Sequence, residues 1–521
     1  MLLEDLPIVL DRDRGEPLAV QVAEALRAAA ASGALRVGDR LSSTRSMAAR
    51  LGVSRTVTAA AYEQLFAEGW VAARRGSGTF VVAAPTAPAS APRRSGDGLP
   101  SGDPAPAGVV DMAPGRACLE VLDQGASRRA WRAAADTPPS ALPCYEGLHG
   151  FRAAVVEHLL RHRGLALGPE RVLATAGSTA AVAEIARVLP PGSVVALEEP
   201  GYQRAAGALA AAGLRMVSAE VDDEGLRVDR LPSRLAAVYC TPAHQFPLGS
   251  RLSARRRVAL VQRARDEDFL IFEDDYDGEL RYDVAPLPLL AALGPDVVAH
   301  LGTASKLLTP TLGVGWLVAP PRLLAAVLAA RESTGSRPAP AGQLVFTALA
   351  AHGDLARHLR RLRRELTARR GIVVGGLARH GVRVHGDAAG AHVLLELGSE
   401  DEEAALLAAA DAEGVRLAGL RGCHRGPGTR FGVSLGYAAP SRAALVAAVE
   451  TVGRLVAGAA GTALPGRRPP DTETAPHMEA APDMERPPPA GGPEGALRSV
   501  NHSPGVGDRP LVPERPATTG P

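Results

Sequence analysis

Lysine is almost missing from this chain. Of its 58 basic residues 57 are arginine, and the one lysine is Lys306. A guanidinium keeps its proton near neutrality, whereas a lysine amine can lose it when its surroundings lower its pKa, and the free amine then condenses with an aldehyde. Any amine chemistry in the chain therefore falls to Lys306, unless codon bias simply left one lysine behind. Cysteine is scarce too: Cys118, Cys144, Cys240 and Cys423 are scattered without C-x-x-C spacing, which speaks against a zinc knuckle or a disulfide framework and for buried thiols. No apolar run approaches the length of a membrane span. The opening MLLEDLPIVLDRDRGEP lacks a basic stretch followed by an apolar segment, so no secretory signal is expected and the cytoplasm is the expected compartment.

With 46% hydrophobic and 22% charged residues the composition is that of a globular protein, and 521 residues exceed what one compact core holds. Two domains and a tail are expected. Residues 12–82 form a first unit with ten arginines against six acids, a local excess of +4 on a chain whose net charge is only +2. A basic module on a near-neutral body suits a DNA reader. Residues 83–108 are a Pro/Ala/Ser/Gly linker. From 109 to 456, apolar strand-like runs such as VVALEEP, AAVYCTP and FLIFEDD alternate with helical stretches, the pattern of an α/β domain with a largely parallel sheet. Residues 457–521 are proline-rich and polar, and disorder is expected there.

Within the first unit, Pro17 opens an amphipathic helix that ends at Ser32-Gly33. Ser43 or Thr44 can cap a second helix to Leu51, Gly52 turns the chain, and Ser54 caps a third. That spacing predicts a helix-turn-helix. Arg55, Thr56 and Thr58 would meet base edges while Val57, Ala61, Tyr62 and Leu65 face inward, and Arg45 would clamp a phosphate. Two short strands around Arg74, Arg75 and Gly76 predict a wing whose arginines enter or flank the minor groove. Two helices around a glycine turn are by themselves ordinary packing, but the full string from Gly38-Asp39 to Gly76-Ser77-Gly78-Thr79-Phe80-Val81 resembles the GntR family of bacterial regulators. Ser42 departs from the proline usual there.

Around the lone lysine, VAHLGTASKLLTP predicts a strand leading into a turn where the Thr303 and Ser305 hydroxyls suit a phosphate. Upstream, Glu273-Asp274-Asp275 ends an apolar strand, where ligand sites of open α/β sheets gather. A carboxylate there can pair with a protonated pyridine nitrogen, although adjacent acids also serve as a solvated cluster or a Mg²⁺ site. Together with the lysine they favour pyridoxal 5'-phosphate (PLP), and no metal is expected.

These stretches, with Ala176-Gly177-Ser178-Thr179, Glu199-Pro200-Gly201-Tyr202 and Thr241-Pro242-Ala243-His244-Gln245-Phe246-Pro247, resemble fold-type I aminotransferases and, with the winged module, the MocR subfamily of GntR regulators. The resemblance implies an internal aldimine on Lys306, Asp274 on the pyridine nitrogen, Tyr276 and His244 or Gln245 near the ring hydroxyl, Tyr202 stacked on the ring, and Gly177, Ser178 and Thr179 around the phosphate. Arg204 and Arg430 would grip an effector carboxylate. The subfamily's phosphate-bracing arginine is absent, with Gly313 in its place. The function implied is a homodimeric regulator that binds operator DNA and senses an amino compound or PLP by aldimine exchange at Lys306. The alternatives are an active aminotransferase, or a regulator whose second domain has lost PLP and only dimerises.

Overall fold

The computed structural model describes residues 8–12, 15–74, 77–82, 106, 108–138, 144–282 and 288–462. The N-terminal module consists of α1 (Leu18–Ala31), α2 (Thr44–Leu51), α3 (Arg55–Ala67) and the antiparallel strands β1 (Val71–Arg74) and β2 (Gly78–Val81). Its caps are those the sequence predicts. Ser43 accepts a hydrogen bond from the Ser46 amide (3.1 Å), Ser54 accepts one from Val57 (3.3 Å), and Gly52 ends α2 in the left-handed conformation. Val22, Leu26, Met47, Ala61, Tyr62 and Leu65 close a core under the wing residues Val71 and Val81. Ile8 and Leu10 pack on it as well, ahead of the boundary expected at residue 12.

The large domain runs β3 (Val110–Asp111), α4 (Gln124–Ala135), α5 (His149–Arg163), β4 (Val172–Thr175), α6 (Ser178–Val188), β5 (Val194–Glu199), α7 (Gln203–Ala211), β6 (Arg215–Asp222), β7 (Gly225–Leu226), β8 (Ala237–Cys240), α8 (Ala254–Asp266), β9 (Leu270–Asp275), α9 (Leu290–Leu293), β10 (Val298–Thr303), β11 (Gly315–Val318) and α10 (Pro321–Thr334). It continues with α11 (Pro340–Ala351), α12 (Asp354–Arg379), β12 (His392–Leu397), α13 (Glu400–Ala412), β13 (Val415–Arg416), β14 (Ala418–Gly419), β15 (Phe431–Gly436) and α14 (Arg442–Thr462). The last helix thus extends past residue 456, where the tail was expected to begin.

The main sheet has the order β4-β11-β10-β9-β8-β5-β6-β7. β10, β9, β8, β5 and β6 are mutually parallel, and β11 runs against both β10 and β4, so β4 points the same way as the parallel group. Alternate residues of these strands face two apolar layers: Leu173, Leu197, Tyr239 and Phe272 meet α6, α7 and α10, while Ala174, Ala196, Val238 and Ile271 share the opposite layer with Phe151, Leu260, Phe346 and Leu362. A smaller antiparallel sheet, β12-β15-β14, stands apart from the main one.

This topology sets the site. Six strands with one direction bring their C-terminal ends to one edge, and each motif singled out in the sequence follows such an end: Gly177 after β4, Pro200 after β5, Thr241 after β8, Tyr276 after β9 and Lys306 after β10. Among the described residues no helix is long and apolar enough to cross a membrane, and no His/Cys/Asp/Glu cluster has a metal-binding arrangement.

Candidate functional site

β9 sorts its three consecutive acids by pleat. Glu273 and Asp275 point to one side: Glu273 accepts the Leu290 and Ala291 amides at the start of α9 (2.7 and 3.0 Å), and Asp275 takes Arg163 in a two-pronged pair (2.8 and 2.9 Å). Asp274 points the other way. Its Oδ2 accepts the Tyr239 hydroxyl (2.6 Å), while Oδ1 is buried and makes no aligned hydrogen bond, although the Ser178 hydroxyl stands near the carboxylate. Burial raises its pKa to about 6, against the pull of Tyr239 and Ser178.

Lys306 sits in the turn between β10 and β11. The turn is fixed by Leu308 N–H donating to Ala304 O (2.8 Å), Ala304 N–H to Val314 O (3.1 Å), and the His358 ring nitrogen lying 2.6 Å from Leu307 O. The ammonium donates to Gly115 O. Burial lowers the lysine pKa, Asp277 and Asp274 oppose that, and the charges of Arg204 and Arg116 add to it. At the far side of Asp274, α6 begins at Ser178, and the first amide of the helix to find a backbone acceptor is Ala181, on Gly177 O (3.0 Å). The turn before it therefore offers backbone donors to an anion. Thr303 Oγ1 and Ser305 Oγ, 3.0 Å apart, face this cradle, since a Cβ on Gly177 would lie 3.5 Å from Thr303 Oγ1. The hydroxyls of Thr179 and Tyr202 share a hydrogen bond of 3.2 Å, which sets the Tyr202 ring edge-on to Phe246.

On the winged module, Arg45, Arg55, Thr56 and Arg74 are exposed, and the Arg74 guanidinium lies 4.8 Å over the Phe80 ring. Arg75 and Gly76 lie outside the described residues. Thr58 differs from expectation. It is 0% exposed, and its hydroxyl donates to Thr44 O (2.8 Å) and Arg55 O (3.1 Å), so it ties α3 to α2 and cannot meet a base. The inward stripe of α3 is Thr58, Ala61, Tyr62 and Leu65, with Val57 at its margin.

Residues 18–81 match the model of the bacterial regulatory proteins of the gntR family, and residues 113–452 match aminotransferase class I and II. The chain belongs to the MocR-type GntR regulators. It is similar to the pyridoxine biosynthesis transcriptional regulator PdxR of Corynebacterium glutamicum, 36% identical over 71% of this chain and 81% of that protein. It is also similar to the probable rhizopine catabolism regulatory protein MocR of Rhizobium meliloti, 32% identical over 83% and 92% of the two chains. Among solved structures, an archaeal alanine:glyoxylate aminotransferase covers 67% of this chain and 90% of its own, with a TM-score of 0.63 at 23% identity, which shows the fold.

In this MocR-type regulator two further expectations need correction. Gln245 has no free amide for a ring hydroxyl: Nε2 donates to Pro200 O (2.9 Å) and Phe246 O (2.7 Å), and Oε1 accepts Leu248 N–H (2.9 Å). Arg430 pairs with Glu396 just before β15, whereas the opposite end of that strand, Gly436, meets Met112 O (2.7 Å) beside the lysine. Six residues of extended chain put roughly 20 Å between the two. Arg204 stays exposed and close enough for its charge to act on Lys306.

Two residues near the lysine escaped the sequence reading. Asp277, two residues past the strand acids, is buried with Oδ2 2.9 Å from His244 Nδ1 and Oδ1 unpartnered, and Tyr276 donates its hydroxyl to His244 O (3.0 Å). Arg116 follows the glycine that receives the lysine ammonium. A pattern of acid-x-acid after the strand hinted at Asp277; nothing in the sequence pointed to Arg116. The loop after β5 is also clasped by the segment ahead of β15. Gly201 N–H (3.0 Å) and Gln203 Nε2 (2.6 Å) donate to Cys423 O, and Arg425 donates to both oxygens of Glu199 (2.7 and 2.9 Å). Burial alone would raise the Glu199 pKa, yet His424 and Arg425 draw it down to about 2.

Proposed function

We propose that this transcription regulator holds PLP at Lys306 and reads an amino compound there, and that the occupant of the site changes how two winged modules of a homodimer in the cytoplasm address operator DNA. The buried, unpartnered Oδ1 of Asp274 carries the reading. An anionic oxygen removed from water without a donor is costly, and the protonated nitrogen of a pyridine ring supplies the donor. When bound, PLP supplies an aldehyde that condenses reversibly with a primary amine.

The residues of this chain divide the work of holding it. Asp274 would pair with the protonated pyridine nitrogen. Gly177, Ser178 and Thr179 with Thr303 and Ser305 would hold the phosphate through backbone donors and hydroxyls, and Tyr202, Tyr276 and His244 would hold the ring. The lowered pKa of Lys306 keeps a larger share of its amine unprotonated and ready to react. Arg204 draws an effector acid toward the lysine. Arg55 and Thr56 at the exposed start of α3 meet the major groove, with Arg45, Arg74, Arg75 and Gly76 along the backbone and minor groove. The ligand acts as a switch only as far as it binds one arrangement of the dimer more tightly than another.

A second reading, a dimerisation body without cofactor, draws on Gly313. It stands exposed in the left-handed conformation with nothing within 4 Å of a would-be Cβ, so no side chain packs at that position. The deciding experiment is a PLP titration of the purified protein and Lys306→Ala, followed by absorbance. A visible band in the parent that the variant lacks supports the sensor; no band at excess PLP leaves the dimerisation reading.

A further inference from the structure

We propose that Arg116 grips the acid group of the effector, in the role that resemblance assigns to Arg430, and that the effector is consequently an amino carboxylate and not a simple amine. This rests on the reading of Lys306 as the amine-exchange site. A small cleft opens beside the lysine, and its walls include Gly115, Arg116, Tyr276, Asp277 and His392. Glycine suits position 115 because its φ is +80°, a conformation that side-chain-bearing residues rarely adopt, and the position lies against the lysine, a would-be Cβ standing 3.5 Å from the lysine nitrogen. The residue after it is thereby delivered to the amine.

Arg116 is only partly satisfied within the protein, through its ion pair with Asp111. Its Nη2 lies 3.0 Å from Asp111 Oδ2, but neither Nε nor Nη2 makes an aligned hydrogen bond, and both atoms are buried. Asp111 is itself engaged by the Ala113 amide (2.9 Å) and approached by Arg416 (3.9 Å). With Nη2 beside Asp111 and Nε without a partner, the planar guanidinium retains donor capacity that matches a carboxylate. Another lining residue has the reverse character. Asp277 presents a buried oxygen without a partner, which repels an acid and accepts from an ammonium or hydroxyl group. The exposed Arg204 attracts an acid on its approach, and an amine that reaches Lys306 with an acid group attached is then held acid toward Arg116 and away from Asp277.

The test uses full-length protein loaded with PLP. Unbranched ω-amino carboxylates of two to five carbons, each paired with the amine of equal length, are titrated while the absorbance spectrum is followed. The parent should prefer the acid-bearing member of at least one pair. Losing a charge-assisted pair corresponds to about 10- to 100-fold, so Arg116→Gln should shrink that preference by this factor. Arg116→Lys, which keeps the charge beside Asp111, should restore part of it, and Arg430→Gln should leave it unchanged. An undiminished preference in Arg116→Gln, a collapse in Arg430→Gln, or a parent indifferent to the acid overturns this inference alone. A parent with no visible PLP band overturns the Lys306 reading and this inference with it.

Discussion

The buried hydroxyls of the winged module and the buried polar atoms at the C-terminal edge of the large sheet are satisfied to different degrees. In the module the buried hydroxyls are spent: Thr58 on two carbonyls and Tyr62 on Ser42 O (2.8 Å), leaving exposed side chains to meet DNA. At the edge of the large sheet, Asp274 Oδ1, Asp277 Oδ1 and His244 Nε2 are buried without partners. A satisfied buried group holds structure together, whereas an orphaned one at the C-terminal edge of a parallel sheet stands where ligands of such sheets bind, and the proposed site rests on that difference.

Substitutions can sharpen that contrast or break it. The largest effect is expected for Lys306→Ala, with complete loss of the visible PLP band and retention of the melting transition. Asp274→Asn removes a charge-assisted pair of about 1.5–3 kcal/mol and should weaken PLP by about 10- to 100-fold in an equilibrium titration. The same carboxyl sets a pH limb. With its pKa raised to about 6, it is anionic above that pH and protonates below, so PLP affinity should fall as pH drops through about 6. Asp274→Asn should lack that limb; an identical pH profile in both proteins would break the assignment.

On the module, Arg55→Ala should weaken operator binding by several-fold or more, since a base-edge contact contributes about 1–3 kcal/mol, without changing stability. Thr58→Val should do the reverse, lowering the melting stability by about 1–2 kcal/mol while operator preference is kept. Equal effects on DNA from both variants would return Thr58 to the interface. The smallest change is expected from Gly313→Arg. A phosphate pair gains about 1.5–3 kcal/mol, the left-handed backbone costs about 1–2 kcal/mol, and PLP should bind only a few-fold more tightly by titration.

Much of this was legible in the sequence because it is local. Caps at Ser43 and Ser54, the turn at Gly52 and the strand before Lys306 depend on neighbours a few residues away. Thr58 was legible too, since 58, 61, 62 and 65 follow the i, i+3, i+4, i+7 stripe, but its polar type was given more weight than its phase. The sequence marks Asp274 as an acid at a strand end, yet only the pleat separates it from Glu273 and Asp275. Arg430 illustrates the other limit: residue type and rough position say nothing about which end of a strand meets the site. Arg116 depends on chain segments 190 residues apart in sequence coming together, and Gln245 on hydrogen bonds that only the folded loop creates.

The clasp on the loop after β5 gives the site a simple kinematics. Tyr202 and Arg204 follow a strand of the main sheet, but Cys423 and Arg425, just ahead of β15, hold that loop through its backbone and through Glu199. Displacing the loop that carries Tyr202 therefore means either breaking these hydrogen bonds or moving the segment between β14 and β15 with it.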